Sequence, residues 1–166
     1  MSKYGVLKNI AAVALDVDGV LTDGSIWWGP NGEEWKQFHF LDIMGISRAT
    51  RAGLVFALIS GEDSPLVDRY AAKMGISDVY KGCKNKAVAF RKFAAQRELE
   101  PGRIAFMGDD INDLGAMELA GFVAAPANAH FSVKATADLV TQNSGGRGAV
   151  RELLDLWMEQ NGVVPG

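Results

Sequence analysis

Cysteine, histidine and net positive charge are all scarce in this chain, and each shortage removes a class of protein. The one cysteine, Cys83, cannot close an internal disulfide; that suits a reducing cytosol and leaves the thiol as a small packed hydrophobe. The two histidines, His39 and His130, lie far apart with no partner spacing, so neither receives a role. Lys and Arg together number 17 against 20 Asp and Glu, a net charge of −3. That balance gives no electrostatic case for nucleic acid or an anionic membrane as a partner. No apolar run approaches a membrane span. The short N-terminal run is cut by Asp16, so a signal peptide is not expected either. Repeats and low-complexity linkers are missing too. What remains is a chain of 166 residues, 48% apolar, with a mean hydropathy of +0.03. It is expected to fold as a single soluble domain over residues 1–166 with a substantial core, working in the cytoplasm.

The organising stretch is Leu15-Asp16-Val17-Asp18-Gly19-Val20-Leu21-Thr22-Asp23. The apolar run from Ile10 to Leu15 is too short for a useful helix and fits a buried strand. It delivers two carboxylates to the strand's carboxyl end, where open α/β sheets bind ligands. Buried there, two acids are costly unless a cation or tight hydrogen bonds hold them. Turn-making aspartates are the plain alternative.

Downstream, residues 24–28 and 34–40 form two expected strands joined by Gly29-Pro30-Asn31-Gly32. This β-hairpin flap, about residues 24–41, carries three of the four tryptophans. So much aromatic surface needs cover, either from a copy of itself in a symmetric oligomer or from its own core. Asp42 is expected to cap a helix running to about Ala52. Strands follow at 54–60, 78–80, 104–108, 121–124 and 137–140, with helices at about 64–74, 84–96 and 149–160. Strand–helix alternation of this kind predicts a three-layer, Rossmann-like α/β fold with a mainly parallel central sheet.

Strand ends and helix starts then supply Asp16 and Asp18, Ser60, Lys86, and Asp109 with Asp113 to what is expected to be one crevice. Carboxylates from two strands make a hard-oxygen site suited to Mg²⁺. A hydroxyl and an ammonium are what a phosphate group requires. Together they suggest phosphoryl transfer through an aspartyl-phosphate. Asp110 is expected to cap the helix that follows.

The set Asp-Val-Asp-Gly-Val-Leu-Thr at 16–22, Ser60, Lys86 and Gly-Asp-Asp-Ile-Asn-Asp at 108–113 resembles the four motifs of the haloacid-dehalogenase-like phosphatases, in the family's order. By that resemblance Asp16 is the nucleophile and Asp18 the general acid and base. The side chains of Asp16 and Asp109 with the carbonyl of Asp18 hold Mg²⁺, Asp113 supports them from behind, and Ser60 and Lys86 bind the phosphoryl group. There is no room for an inserted cap domain, so the chain resembles the capless phosphatases of phosphorylated 2-keto-3-deoxy sugar acids. Those are homotetramers whose hairpins gather in a central barrel. The eight-carbon ester 3-deoxy-D-manno-octulosonate 8-phosphate leads as substrate, being the commoner one. Glu62 and Lys73 instead match members acting on nine-carbon acids (deaminoneuraminate or N-acetylneuraminate 9-phosphate), while Tyr70 and Ile43 depart from both patterns. The segment Gly-Gly-Arg-Gly at 145–148 also resembles the subfamily. Its glycines before a helix suggest an anion nest, and Arg147 a contact to the sugar carboxylate; a plain helix-start loop is the alternative. A receiver-like signalling domain shares the Mg²⁺, Asp, Ser and Lys set, but it needs no second acid at 18 and no aromatic hairpin.

Overall fold

The computed structural model describes residues 4–164. Six parallel strands form the central sheet: β1 (Ala12–Leu15), β4 (Val55–Ile59), β5 (Asp78–Tyr80), β6 (Ile104–Met107), β7 (Phe122–Ala125) and β8 (Leu139–Val140). Their order is β5-β4-β1-β6-β7-β8, with β1 between β4 and β6. Taking the sheet strands in sequence, this is the doubly wound 3-2-1-4-5-6 arrangement, whose order reverses beside the first strand. The chain alternation therefore yields the expected architecture, and the reversal falls between β1 and β6.

Burial on both faces explains why these strands read as unbroken apolar runs. Along β1, Val13 and Leu15 enter one core with Ile46, Val67, Leu153 and Trp157, while Ala12 and Ala14 enter the other with Phe90, Phe93, Met117 and Val133. One face is thus covered by α1 (Phe40–Arg51), α2 (Pro65–Met74) and α6 (Ala149–Gln160). The other is covered by α3 (Lys86–Gln96), α4 (Leu114–Met117) and α5 (Phe131–Thr136). The one-turn-and-a-half α5 and a short 3₁₀ segment, Gly5–Asn9, carry too little periodicity to be expected from sequence.

The hairpin exists but is much shorter than the aromatic runs implied. Only Trp27–Trp28 (β2) pairs with Glu34–Trp35 (β3), Trp27 opposite Trp35. Gly32, at φ +87°, turns the link as its sequence suggested. Residues past Trp35 leave the ladder: Phe38 stacks on Tyr70 at 4.4 Å between ring centres, and His39 begins α1.

A second correction concerns Asp42. The α1 N-cap is His39, whose Nδ1 accepts from the Leu41 N–H at 3.3 Å. Asp42, one turn in and fully buried, crosses to α6 and accepts from the N–H groups of Gly148 (3.3 Å) and Arg151 (2.8 Å). Asp42 thus caps α6, the helix beside its own, which was not visible in local sequence because the partners lie over 100 residues away. Burial raises its pKa against those two bonds.

Candidate active site

The reversal in strand order opens a crevice at the carboxyl ends of β1 and β6, and the acids expected there sit on both lips. Asp16 directly follows β1; its backbone N–H donates to the Met107 carbonyl at the end of β6 (3.0 Å). Asp109 follows β6 after Gly108. Gly19 lets the two loops close up: at φ +88°, a Cβ there would lie 2.0 Å from Asp109 Oδ2. Gly108 does the same for Asp113, whose side chain would meet a Cβ at 2.6 Å.

Lys86, the first residue of α3, reaches into this ring of acids fully buried. Its Nζ lies 2.7 Å from Asp16 Oδ1 and 2.6 Å from Asp113 Oδ1. Burial works against its charge, but Asp16 and Asp113 outweigh that and hold its pKa above the ordinary lysine value. Asp113 is saturated: its other oxygen accepts from the N–H groups of Asp109 (2.9 Å) and Asp110 (3.1 Å). It also completes a capping box with Asp110, which caps the 3₁₀ segment Ile111–Asp113 as its sequence position suggested.

The acids strain against one another. Burial raises the Asp16 pKa well above the usual carboxylate range, and Asp113 adds to this against the pull of Lys86. Burial likewise raises Asp109 to about 6, with Asp113 contributing. Oxygens of Asp16, Asp109 and Asp113 all lie within 4.8 Å of one another. With Asp113 committed to Lys86 and two amides, Asp16 and Asp109 are the pair left to hold an ion. Two carboxylates, Asp16 buried and Asp109 half-buried, with few other partners fit a small divalent cation with retained waters.

A cavity of about 170 Å³ lies over this cluster, lined by Asp16, Asp18, Gly61, Glu62, Lys86, Asp109, Asp110 and Asn112. Six of the expected site residues therefore meet: Asp16, Asp18, Glu62, Lys86 and Asp109 at the cavity, with Asp113 beneath. Ser60 lies just under the wall, fully buried after β4, its Oγ accepting from the Glu62 N–H at 3.1 Å. Lys73 is elsewhere. It lines a separate cavity of about 410 Å³ with Arg69, Tyr70, Ile43 and the hairpin foot. Tyr70 faces the core there, its hydroxyl buried without a hydrogen-bond partner.

Arg147 also stays outside the catalytic cavity. It is exposed, with its guanidinium 3.8 Å from Asp23. The glycines before it serve packing, not an anion nest. A Cβ on Gly145 would lie 1.9 Å from the Gly19 carbonyl oxygen, and Gly146 donates to the Val20 carbonyl. The α6 N-terminus is already occupied by Asp42.

Three participants were not anticipated. Asn128 clamps the catalytic loop, donating to the Gly19 carbonyl (3.2 Å) and accepting from the Gly145 N–H (2.6 Å). Asn112 lines the cavity. Lys36 reaches in from the hairpin, 2.7 Å from Asp18 Oδ1. For Asn112 its place in the fourth motif was an available signal; for Asn128 and Lys36 the sequence offers none.

The match to a family model described as haloacid dehalogenase-like hydrolase spans residues 30–153. This chain belongs to that family. Within these hydrolases it is 42% identical, over 157 residues, to the 3-deoxy-D-manno-octulosonate 8-phosphate phosphatase KdsC of Escherichia coli K12, covering 95% of this chain and 84% of that one. The crystal structure of the Moraxella catarrhalis 3-deoxy-D-manno-octulosonate 8-phosphate phosphatase, in complex with magnesium, phosphate and KDO, superposes with a TM-score of 0.94 at 35% identity, covering 96% of this chain and 92% of that one. The cobalt-bound Haemophilus influenzae phosphatase YrbI gives 0.92 at 38% identity, covering 95% and 92%. The expected haloacid-dehalogenase resemblance, fold and hydrolase class are thereby borne out.

Proposed function

We propose that this hydrolase cleaves the phosphomonoester of a phosphorylated 2-keto-3-deoxy sugar acid, 3-deoxy-D-manno-octulosonate 8-phosphate, with Mg²⁺ and through an aspartyl-phosphate. The observation that carries this is the convergence of Asp16, Lys86, Asp109 and Asp113 at the strand reversal, with Asp18 on the same cavity. The names of its relatives supply the substrate class.

Asp16 attacks phosphorus, the bond to the ester oxygen breaks, and its electron pair leaves on that oxygen, to which Asp18 gives a proton. In the second step Asp18 takes a proton from water as the water attacks phosphorus. The bond to Asp16 then breaks, releasing inorganic phosphate and restoring both carboxyl groups. Attack requires an ionised Asp16, which Lys86 favours against burial. An ammonium has three donors; Lys86 gives one to Asp113 and faces Asp16 as an ion pair, leaving capacity for a phosphoryl oxygen. The Ser60 hydroxyl, an acceptor toward Glu62, keeps its proton for another. Asp16, Asp109 and the Asp18 carbonyl would hold Mg²⁺, which would supply charge neutralisation on the transferring group.

The aromatic hairpin supports assembly as a homotetramer. Trp27, Trp28 and Trp35 are 66%, 76% and 54% exposed in the single chain, so no fold-back onto its own core covers them. A neighbour's surface would bury them and bring further groups over the 170 Å³ cavity, too small to enclose a sugar acid alone. No described helix is long and apolar enough to cross a membrane, which agrees with work on a soluble substrate in the cytoplasm.

A nine-carbon substrate is the second reading, favoured by Glu62 on the cavity wall. Steady-state hydrolysis of eight- and nine-carbon keto-acid phosphates by the purified protein with Mg²⁺ separates the two. The proposal expects the highest kcat/KM on the eight-carbon ester; a higher value on a nine-carbon ester selects the alternative. Uniformly poor turnover of both overturns the sugar-acid assignment. An aspartyl-phosphate persisting for minutes or longer would instead indicate a signalling receiver.

A further inference from the structure

Lys36 is a cation that none of the steps above uses, although its side chain is only 1% exposed and lies against the catalytic loop. Its Nζ is 2.7 Å from Asp18 Oδ1 and 3.7 Å from Glu34 Oε1. The angles at the Asp18 contact fall outside hydrogen-bond geometry, so the pair is held by charge. A buried ammonium is tolerated only where anions compensate it, and Asp18 and Glu34 are the two at hand. Glu34 is itself anchored: one oxygen accepts from Ser64 Oγ at the start of α2 (3.2 Å), the other from Trp28 Nε1 across the hairpin (3.3 Å). Lys36 is therefore held from behind by the hairpin and pressed onto a catalytic carboxyl in front.

The two oxygens of Asp18 are consequently unlike. Oδ1 is inaccessible to water, whereas the side chain as a whole keeps 25% exposure, which the remaining atoms must carry. An ammonium has hydrogens and no lone pair. A proton on Oδ1 would point at Lys36 with nothing to receive it, so the proton belongs on Oδ2.

We propose that Lys36 is a positioning residue that pins Asp18 Oδ1 and so presents Oδ2 as the oxygen that gives and takes the proton. This rests on the phosphatase reading. In the first half-reaction the P–O ester bond breaks as Asp16 bonds to phosphorus, and the Oδ2 proton passes to the leaving alkoxide. In the second, Oδ2 receives the proton of the attacking water as the Asp16–phosphorus bond breaks.

The test exploits the leaving group. An alkoxide needs the proton; 2,4-dinitrophenolate does not. Lys36→Met removes the charge at similar length, and kcat/KM, which reports only the steps up to departure of the first leaving group, is measured with Mg²⁺ on an alkyl ester (the sugar-acid phosphate) and on 2,4-dinitrophenyl phosphate. The expected result is a loss of roughly 10–100-fold on the alkyl ester, a fraction of what general-acid catalysis supplies. The aryl ester should change by no more than about 3-fold, and Lys36→Arg should recover most of the alkyl rate. In an Asp18→Asn background Lys36→Met should add no further split between the esters. Should Lys36→Met fail to fold, Lys36→Gln, neutral but still polar, carries the same comparison. Equal losses on both esters, or no loss on either, overturn the positioning role while leaving the phosphatase in place. A wild-type protein that hydrolyses neither ester overturns both.

Discussion

Replacing Asp113 by Asn changes one atom, yet the geometry makes it a severe substitution. The side chain is fully buried, with one oxygen facing the Lys86 ammonium at 2.6 Å and the other facing the N–H groups of Asp109 and Asp110 at 2.9 and 3.1 Å. Every neighbour is a donor. An asparagine must aim its NH₂ at one side or the other, so either orientation sets donor against donor and leaves a buried cation with one carboxylate instead of two. Removing one partner of a buried ion pair costs about 3–5 kcal/mol. In a chain of this length that lowers Tm by roughly 6–20 °C, at about 2–4 °C per kcal/mol. Activity should fall at least ~10²-fold, because Asp109 and Lys86 lose the group that aligns them, and misplacement near 1 Å costs that much. Asp109→Asn provides the contrast. Burial and like charge hold Asp109 near pKa 6, so at pH 7 its ionised form opposes folding. The neutral amide should stabilise the metal-free protein by up to ~3 kcal/mol, since each pH unit by which a carboxyl is held above its ordinary value costs about 1.36 kcal/mol on ionising and Asp109 is raised from 3.8 to about 6, while abolishing Mg²⁺-dependent turnover. Urea denaturation in a chelator, paired with hydrolysis assays, reads both. Wild-type stability and turnover for Asp113→Asn would refute this account of the site, as would an Asp109→Asn protein less stable than wild type.

The same strain fixes a pH dependence. Asp16 and Asp109 both have folded pKa values above their unfolded ones, so without metal the folded state binds more protons. Their contribution to stability is therefore favourable at low pH and lost as pH rises through about 6. Magnesium competes with those protons, so the Tm increment from saturating Mg²⁺ should be large at pH 7.5 and small at pH 5; an increment that does not change with pH would contradict it. Changing Trp27, Trp28 and Trp35 together to Ser should lower the oligomeric mass seen by sedimentation without unfolding the chain, since all three are exposed; an unchanged mass would remove the hairpin from the assembly. Gly145→Ala should lower kcat at least several-fold, because its methyl would sit 1.9 Å from the Gly19 carbonyl and displace the loop carrying Asp18; wild-type kcat would show that the loop yields freely.

Much of the site was legible because its information is local. Asp16 and Asp109 each end an apolar strand, and strand ends in this class of sheet are where ligands bind. Lys86 was legible only as part of a set, since a lysine at a helix start is ordinarily solvated. The misses share one cause: contacts between segments distant in sequence. Asp42 has the local signature of an N-cap, but the competing His39 ring took that place and freed it for α6. The glycines at 145 and 146 look like a nest until the catalytic loop is seen packed against them. Lys36 follows a two-residue strand whose shortness no alternation pattern foretold, because Phe38 beyond it stacks on Tyr70 against the core instead of extending a ladder. Lys73 and Arg147 lie away from the cavity within one chain, so family likeness placed them where this chain's own geometry does not.

The bonds of α6 bear on how the protein is made. Besides meeting Asp42, that helix sends Trp157 Nε1 to the Ile10 carbonyl (3.0 Å), at the approach to the strand that leads to Asp16. A ribosome emits residues 149–160 after every other element described, so until then the sheet face that holds Val13 and Leu15 lacks part of its cover and Asp42 has no α6 amide to meet. A nascent chain stalled before residue 149 should be open to protease and inert toward phosphate esters. Synthesis would thus withhold catalytic competence until α6 has emerged.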